Sequence, residues 1–287
     1  MRAGRPKISI FKIQNSVLGI LVAGCVVTQS ERNEQPSAVE ITFLDVGQAD
    51  AVLIRSPEGK TALIDAGRGG EIVARLRDHG VDTIDLAVAS HAHADHIGGM
   101  EEVVRSFPVR YFLDNGLPHT TSTYLDLMRT LRDSETTYLR PEARSIALGS
   151  LRMRVLPPPH VNEQSQNHNS LGLVLEYGAF RAMLTGDSEV GELQHFLDMG
   201  VPDVTLLKAA HHGARDAVSP AWLAATKPEL VVISCGRGNP YGHPDAWALR
   251  YYEAVAAEVY RTDLHGEITV RGLADGAYAV TTARRGD

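Results

Sequence analysis

Short apolar runs alternate with stretches of helical spacing along this chain, from about residue 39 to the C-terminus. Runs of about four to eight apolar residues bounded by turn-forming residues read as strands, and those lacking polar alternation read as strands covered on both faces. By that rule residues 39–46, 50–55 and 61–65 are strands, with Pro57-Glu58-Gly59-Lys60 turning the second into the third. Residues 85–89, 109–113 and 151–156 follow as further strands. Helical spacing marks 71–79, stopped by Gly80, then 97–106 and 123–133. The second half repeats the alternation. A hairpin of 171–177 and 180–184 turns at Gly178-Ala179, buried strands fall at 204–209 and 229–234, and closing strands at 259–261, 267–271 and 278–282. Helices are predicted at 188–199, 220–226 and 245–257. Two such halves predict an α/β fold: two mixed sheets packed face to face with helices outside, an αββα sandwich.

Composition narrows the class. With 287 residues, 44% hydrophobic and 22% charged, the chain can bury one large core, and it shows no repeat or low-complexity tract. Its start differs from the rest. Arg2, Arg5, Lys7 and Lys12 precede the short apolar stretch Val17-Leu18-Gly19-Ile20-Leu21-Val22-Ala23, which is too short to span a bilayer and reads as a secretory signal. The sequence Val22-Ala23-Gly24-Cys25 resembles the lipobox of bacterial lipoproteins, with Cys25 as the acylated residue. Residues 1–24 are thus expected to be a signal peptide, 25–38 a tether, and 39–287 the folded domain of an exported protein held to a bacterial membrane by a lipid. With Cys25 lipidated, only Cys235 remains, a small hydrophobe in an apolar run, so the fold must rest on its core without a disulfide.

The formal charge is −7, from 28 basic and 35 acidic residues. An acidic chain is not an evident nucleic-acid binder, since phosphate neutralisation dominates that affinity. One region departs from the average: residues 105–154 hold eight arginines against five acids. That stretch reads equally as a phosphate-binding face or as a solvated surface.

The chemistry concentrates in Ser90-His91-Ala92-His93-Ala94-Asp95-His96-Ile97-Gly98-Gly99, which follows the buried run 85–89. Extended backbone has a period of two, so His91 and His93 point the same way as the strand ends. Beyond the turn, Asp95 and His96 can aim at a second point beside the first. Two imidazoles at one point, and a carboxylate with an imidazole at the next, suit two borderline-soft divalent ions such as zinc.

HxHxDH followed by Gly-Gly resembles the signature of the metallo-β-lactamase superfamily. Phe43-Leu44-Asp45-Val46-Gly47-Gln48-Ala49-Asp50-Ala51, Leu63-Ile64-Asp65-Ala66-Gly67, Asn167-His168-Asn169-Ser170-Leu171, Leu184-Thr185-Gly186-Asp187, Lys208-Ala209-Ala210-His211-His212-Gly213 and Tyr241-Gly242-His243-Pro244 resemble one branch of it, the metallohydrolase domain of ComEC-type DNA-uptake proteins. The resemblance implies the αββα sandwich and a site for two divalent ions, Zn2+ or Mn2+. Asp187 is implied as the bridging carboxylate, needed because two dications about 3.5–4 Å apart repel. His211 or His212 completes the ion of Asp95 and His96. The sequence leaves the choice open; His211 is favoured, with the other contacting substrate. Asp65 is implied as the carboxylate that orients a ligand.

One departure matters. Where most superfamily hydrolases place a further histidine in a Gly-His segment, this chain has Asn167-His168-Asn169-Ser170. Asn169 and Ser170 are what the ComEC-like branch carries, and they are implied substrate contacts. The ion of His91 and His93 is therefore expected to be weakly held, with His168 open as a further ligand. His243 is a candidate to protonate a leaving oxygen or bind phosphate. Arg261, in Arg261-Thr262-Asp263, is a candidate phosphate clamp.

Taken together, the resemblance implies hydrolysis by a metal-bridged hydroxide, with Asp95 essential. The implied partner is a phosphodiester substrate such as single-stranded DNA, met outside the cytoplasm. Two other classes fit the same residues: a small-molecule hydrolase for a lactone, β-lactam, thioester or choline-phosphate ester, and a non-catalytic metal-binding module. The acidic charge favours the former; Asn169 in place of histidine leaves the latter open.

Overall fold

Apolar runs without polar alternation form the centre of two sheets in the structure, a computed structural model that describes residues 37–160, 165–256 and 258–286. In chain order the first half contains β1 (Ala38–Phe43), β2 (Val52–Arg55), β3 (Thr61–Ile64), α1 (Ile72–Asp78), β4 (Ile84–Val88), α2 (Ala94–Ile97), α3 (Met100–Ser106), β5 (Val109–Leu113), α4 (Ser122–Arg132) and β6 (Thr137–Leu139). It continues with β7 (Ser145–Leu148), β8 (Leu151–Leu156), β9 (Gly172–Tyr177), β10 (Phe180–Leu184), α5 (Val190–Asp198), β11 (Leu206–Lys208), α6 (Pro220–Thr226) and β12 (Leu230–Ile233). The chain closes with α7 (Ala246–Val255), β13 (Glu258–Arg261), α8 (Thr262–His265), β14 (Ile268–Leu273) and β15 (Tyr278–Thr282).

One sheet has the order β15-β14-β1-β2-β3-β4-β5-β6 and the other β13-β12-β11-β10-β9-β8-β7. Both are mixed. β3 to β6 run parallel, as do β10 to β13, and the remaining neighbours are antiparallel. Period-two alternation divides each strand between two cores. Ile41, Phe43, Ile54 and Val88 of the first sheet meet Met153, Leu173, Phe180 and Val232 of the second in the central layer. On the outer faces, Leu63, Ile84 and Ala87 pack with α1, α3 and α4, while Val174, Leu207 and Val231 pack with α5, α6 and α7. The four layers are the αββα sandwich that the resemblance implies and with which the pattern is compatible.

Several boundaries shift for local reasons. β1 ends at Phe43 rather than at 46, where the chain turns and the Val46 amide donates to the Leu44 carbonyl at 3.0 Å. The helix predicted at 97–106 begins earlier, at Ala94, and is broken between α2 and α3. Gly98 and Gly99 sit at that break against the Asp65 loop. A Cβ on Gly98 would lie 2.5 Å from the Arg68 carbonyl oxygen, and one on Gly99 2.4 Å from that of Ala66, so no larger side chain fits. β6 and β7 lie at sheet edges and were not predicted; each is short and carries exposed residues. β1 opens at Ala38. Cys25 and the expected signal peptide lie outside the described residues. Among the described residues no helix is long and apolar enough to cross a membrane.

Candidate metal centre

Parallel strands deliver their C-terminal ends to one edge of the sandwich, the usual place for a site in α/β sheets. Asp65 follows β3, His91 to His96 follow β4, Asp187 follows β10, and His211 and His212 follow β11. Both sheets therefore contribute.

His96 is at the centre. It is fully buried, with Nδ1 2.8 Å from Asp65 Oδ2 and Nε2 3.2 Å from Asp187 Oδ2. Asp65 is fixed in turn: the Ser90 amide donates to its Oδ1 at 2.7 Å and the Ser90 hydroxyl to its Oδ2 at 2.8 Å. Its backbone is left-handed (φ 59°), a conformation a buried aspartate holds only where its surroundings enforce it. Asp65 thus fixes the His96 ring through Nδ1.

His212 rather than His211 joins Asp95 and His96. Its Nε2 lies 3.8 Å from Asp95 Oδ2 and 3.6 Å from Asp187 Oδ2. Its Nδ1 donates to the Ser234 carbonyl at 3.0 Å, which fixes the tautomer and leaves Nε2 facing the carboxylates. The cause is the backbone. His211 and His212 are both left-handed (φ 47° and 53°), and Gly213 follows at φ 78°, so the turn swings the second imidazole inward and the first outward. His211 stays partly exposed, with Nδ1 3.3 Å from Asp216 and Nε2 3.3 Å from Asn167 Nδ2.

Next to this group, His91 Nε2 and His93 Nδ1 face each other at 3.0 Å. His91 groups with His96 and Asp187, but His93 joins no group of three ligand-type residues among the described residues. Burial, then the neighbouring His96, holds His91 well below the usual imidazole range; burial also lowers His93. Both are thus neutral at pH 7, the state in which imidazole binds a metal.

The electrostatics call for a cation. Asp50, Asp65, Asp95 and Asp187 surround His96 and His212, whereas the fixed positive charges touching them are buried Lys208 on Asp50 and half-exposed Arg68 on Asp95. Burial alone would lower His96, yet Asp187 and Asp65 hold its pKa well above the usual value. His96 Nε2, His212 Nε2 and Asp187 Oδ1 are buried without a hydrogen-bond partner. Uncompensated buried polar atoms are costly. Imidazole nitrogens and carboxylate oxygens that converge in this way fit divalent metal ions.

Above the cluster opens a cavity of about 360 Å³. Its wall includes His93, Asp95, Asp187, His211 and His212, with Gln48, Arg68, Asn167, Tyr241 and His243 around them. His243 lines this cavity. Burial, then the adjacent His211 and His212, lowers its pKa, so at pH 7 it is a neutral imidazole rather than a phosphate-binding cation.

Three expectations need correction. Arg261 does not line this cavity: its guanidinium pairs with Asp263, at 3.0 Å from Nε and 2.6 Å from NH2. The guanidinium on the cavity wall is that of Arg68, 3.3 Å from Asp95. Asn169 and Ser170 are fully buried behind the cluster rather than exposed to substrate. Ser170 Oγ accepts from the Asp187 amide at 3.2 Å and lies 3.4 Å from His91 Nδ1, while Asn169 donates to the Ser165 carbonyl. They hold the loop that presents Asp187 and His91. His168 is turned to Ser165 and Glu189 and away from the cluster.

Asp50 and Lys208 were assigned no role from the sequence. A signal existed: a lysine ending the unbroken apolar run Val204-Thr205-Leu206-Leu207, and an aspartate flanked by alanines, are charges a buried position tolerates only when paired.

The chain belongs to the metallo-β-lactamase superfamily, whose family model matches residues 44–237. Among curated relatives, ComE operon protein 3 of Bacillus subtilis strain 168 is 26% identical over 255 residues, covering 81% of this chain and 33% of its own length. Recombination protein 2 of Haemophilus influenzae is 27% identical over 245 residues (82% and 29%), and competence protein ComA of Neisseria gonorrhoeae 25% over 255 (87% and 34%). The resemblance read from the sequence stands, and the chain spans about a third of the length of these relatives. Of solved structures, Tm1679, described as a metal-dependent hydrolase of the β-lactamase superfamily, matches with a TM-score of 0.52 at 13% identity, covering 85% of this chain and 99% of that one. CmlA, a diiron β-hydroxylase from Streptomyces venezuelae, matches with a TM-score of 0.53 at 17% identity, covering 83% and 55%. These two likenesses show the fold alone.

Proposed function

We propose that this chain is a metal-dependent phosphodiester hydrolase acting on nucleic acid. The observation that carries the reading is the convergence of Asp95, His96, His212 and Asp187, with buried unpartnered atoms, at the floor of an open cavity. In this reading Asp95, His96 and His212 would hold one ion, His91 and His93 would contribute to a second, and Asp187, which approaches both His96 and His212, would be shared. When bound, such ions acidify a water and take up charge developing on a phosphoryl oxygen. Zinc and manganese both suit this mixture of imidazole and carboxylate ligands.

The remaining chemistry belongs to the chain. Asp65 and the Ser234 carbonyl hold His96 and His212 in one orientation, so their facing nitrogens need no reorganisation during the reaction. Arg68 stands where a planar guanidinium can grip a phosphate oxygen. His243, neutral at pH 7 with Nδ1 3.5 Å from Gln48 Nε2, can take a proton and pass it to the leaving oxygen. The similarity to a recombination protein and a competence protein supports nucleic acid as the substrate class. The lipobox-like Cys25 supports a substrate met outside the cytoplasm.

The test is hydrolysis by the full chain, with zinc or manganese added, of bis-p-nitrophenyl phosphate, single-stranded DNA and a chromogenic β-lactam. Cleavage of the first two, lost in Asp95→Ala without loss of fold, is the expected result. Turnover of the lactam alone would make this a small-molecule hydrolase. Metal binding without any turnover would make it a binding module.

A further inference from the structure

The cavity has one feature the proposed hydrolysis does not use. Tyr241 lies on its wall and is 61% exposed, an unusual position for a large aromatic ring in this molecule. The ring stacks on His243, with centroids 5.9 Å apart and planes 28° from parallel. One face is thus backed by an imidazole, and the other is left to solvent.

The ring is presented by a pinned loop. Asn239 Nδ2 donates to the carbonyls of Gly236, at 2.9 Å, and His243, at 2.6 Å, and Asn239 Oδ1 accepts from the His243 amide at 3.0 Å. These three bonds close the loop across Tyr241. Gly236, at its base, also donates from its amide to Gln48 Oε1 at 2.9 Å, which ties it to another residue of the cavity wall. A ring held in advance loses little freedom when a ligand stacks on it.

Charge says what that ligand must bring. Among the described residues Arg68 is the one lysine or arginine on the cavity wall, and the whole chain carries −7. A polyanion gripped at a single guanidinium gains little from counterion release, so affinity must come from elsewhere. Base stacking supplies it, because every nucleobase has a flat apolar face. A base paired in a duplex is already stacked on both sides and cannot offer that face.

We propose that Tyr241 is a stacking platform for one unpaired nucleobase, placed beside the phosphodiester that Arg68 and the histidine cluster receive, so that the site selects single-stranded nucleic acid. This rests on the phosphodiesterase reading of the same site.

The test is fluorescence anisotropy with the full chain in a chelator, where no turnover occurs. Its probes are a labelled oligothymidylate, the same backbone with abasic residues, and the oligothymidylate annealed to its complement. The chain should bind the single strand at least tenfold more tightly than the other two. Tyr241→Ala should lose about five- to a hundredfold on the single strand alone, and Tyr241→Phe should keep the preference. Equal binding of abasic and base-bearing strands would overturn the proposal. So would an equal loss in Tyr241→Ala on both strands, or duplex bound as tightly as single strand. Because binding is read without metal, absence of phosphodiester hydrolysis in the separate metal-loaded assay would fell the hydrolase reading without deciding this one.

Discussion

Lys208 Nζ lies 2.5 Å from Asp50 Oδ2 behind the histidine cluster, with both side chains at most 2% exposed. The pair also supports the cluster, since Asp50 lies 3.8 Å from His96 Nδ1 and 3.5 Å from His212 Nδ1. Replacing one partner leaves a buried charge uncompensated. Lys208→Met should therefore cost about 3–5 kcal/mol in urea unfolding, and adding Asp50→Asn should restore much of the loss. A double variant no more stable than Lys208→Met would show that the pair is not what stabilises this layer.

Asp65 offers a milder change. Asparagine tolerates the left-handed backbone at this position and keeps an acceptor for the Ser90 amide, but it removes the carboxylate that orients His96. Asp65→Asn should still fold, with a lower melting temperature because its amide NH2 now faces the Ser90 hydroxyl and His96 Nδ1, and should bind zinc about 10–100-fold more weakly by calorimetry. Wild-type affinity in the variant would remove Asp65 from the metal centre.

The two adjacent histidines should separate cleanly. His212→Ala removes a buried nitrogen that faces both Asp95 and Asp187, whereas His211→Ala removes a partly exposed ring that approaches Asp187 at 3.8 Å but otherwise faces Asn167 and Asp216. Bound metal after gel filtration, measured by plasma emission, should fall in the first variant and stay at the wild-type level in the second. The reverse pattern would return the ligand role to His211.

Glu192, buried at the start of α5, gives a pH signature. Burial raises its carboxyl to about 9 from the usual 4.5, despite hydrogen bonds from Ser188 and Ser170 that lower it. A raised pKa means the fold binds the proton more tightly than the unfolded chain does. Its stabilisation is full below about pH 4.5 and is lost as pH rises through about 9. Urea unfolding at pH 5, 7 and 9 should show the wild type losing stability relative to Glu192→Gln, by up to about 1.4 kcal/mol per pH unit. Parallel profiles for the two proteins would contradict a buried neutral acid here.

These residues also show what a sequence can reveal. His91, His93, Asp95 and His96 were legible because strand period and turn place them locally, within six residues of one another. Asp65 and Asp187 were singled out only by the resemblance, since an aspartate after an apolar strand is by itself an ordinary turn residue. What was not legible depends on backbone twist or distant pairing. The choice between His211 and His212 turns on two left-handed residues that nothing in their identity announces. Arg261 looked available until Asp263, two positions on, was found to hold it. Asn169 and Ser170 were substrate contacts only as the resemblance implied, yet both are fully buried. Among the elements, edge strands β6 and β7 escaped notice because short, half-exposed runs carry little periodic signal.

The ligand groups draw on both halves of the sandwich: His91, Asp95 and His96 from the first sheet's loops, and Asp187 and His212 from the second's. An ion held there would rivet the two sheets across the edge where they part. Loading would then raise the melting temperature with metal concentration, by the mass-action rule for anything that binds only the folded chain. It would also slow proteolysis at this edge. A cell short of the metal would thus hold a chain that is not merely idle but easier to pull apart, which couples the lifetime of the protein to the supply of its ion.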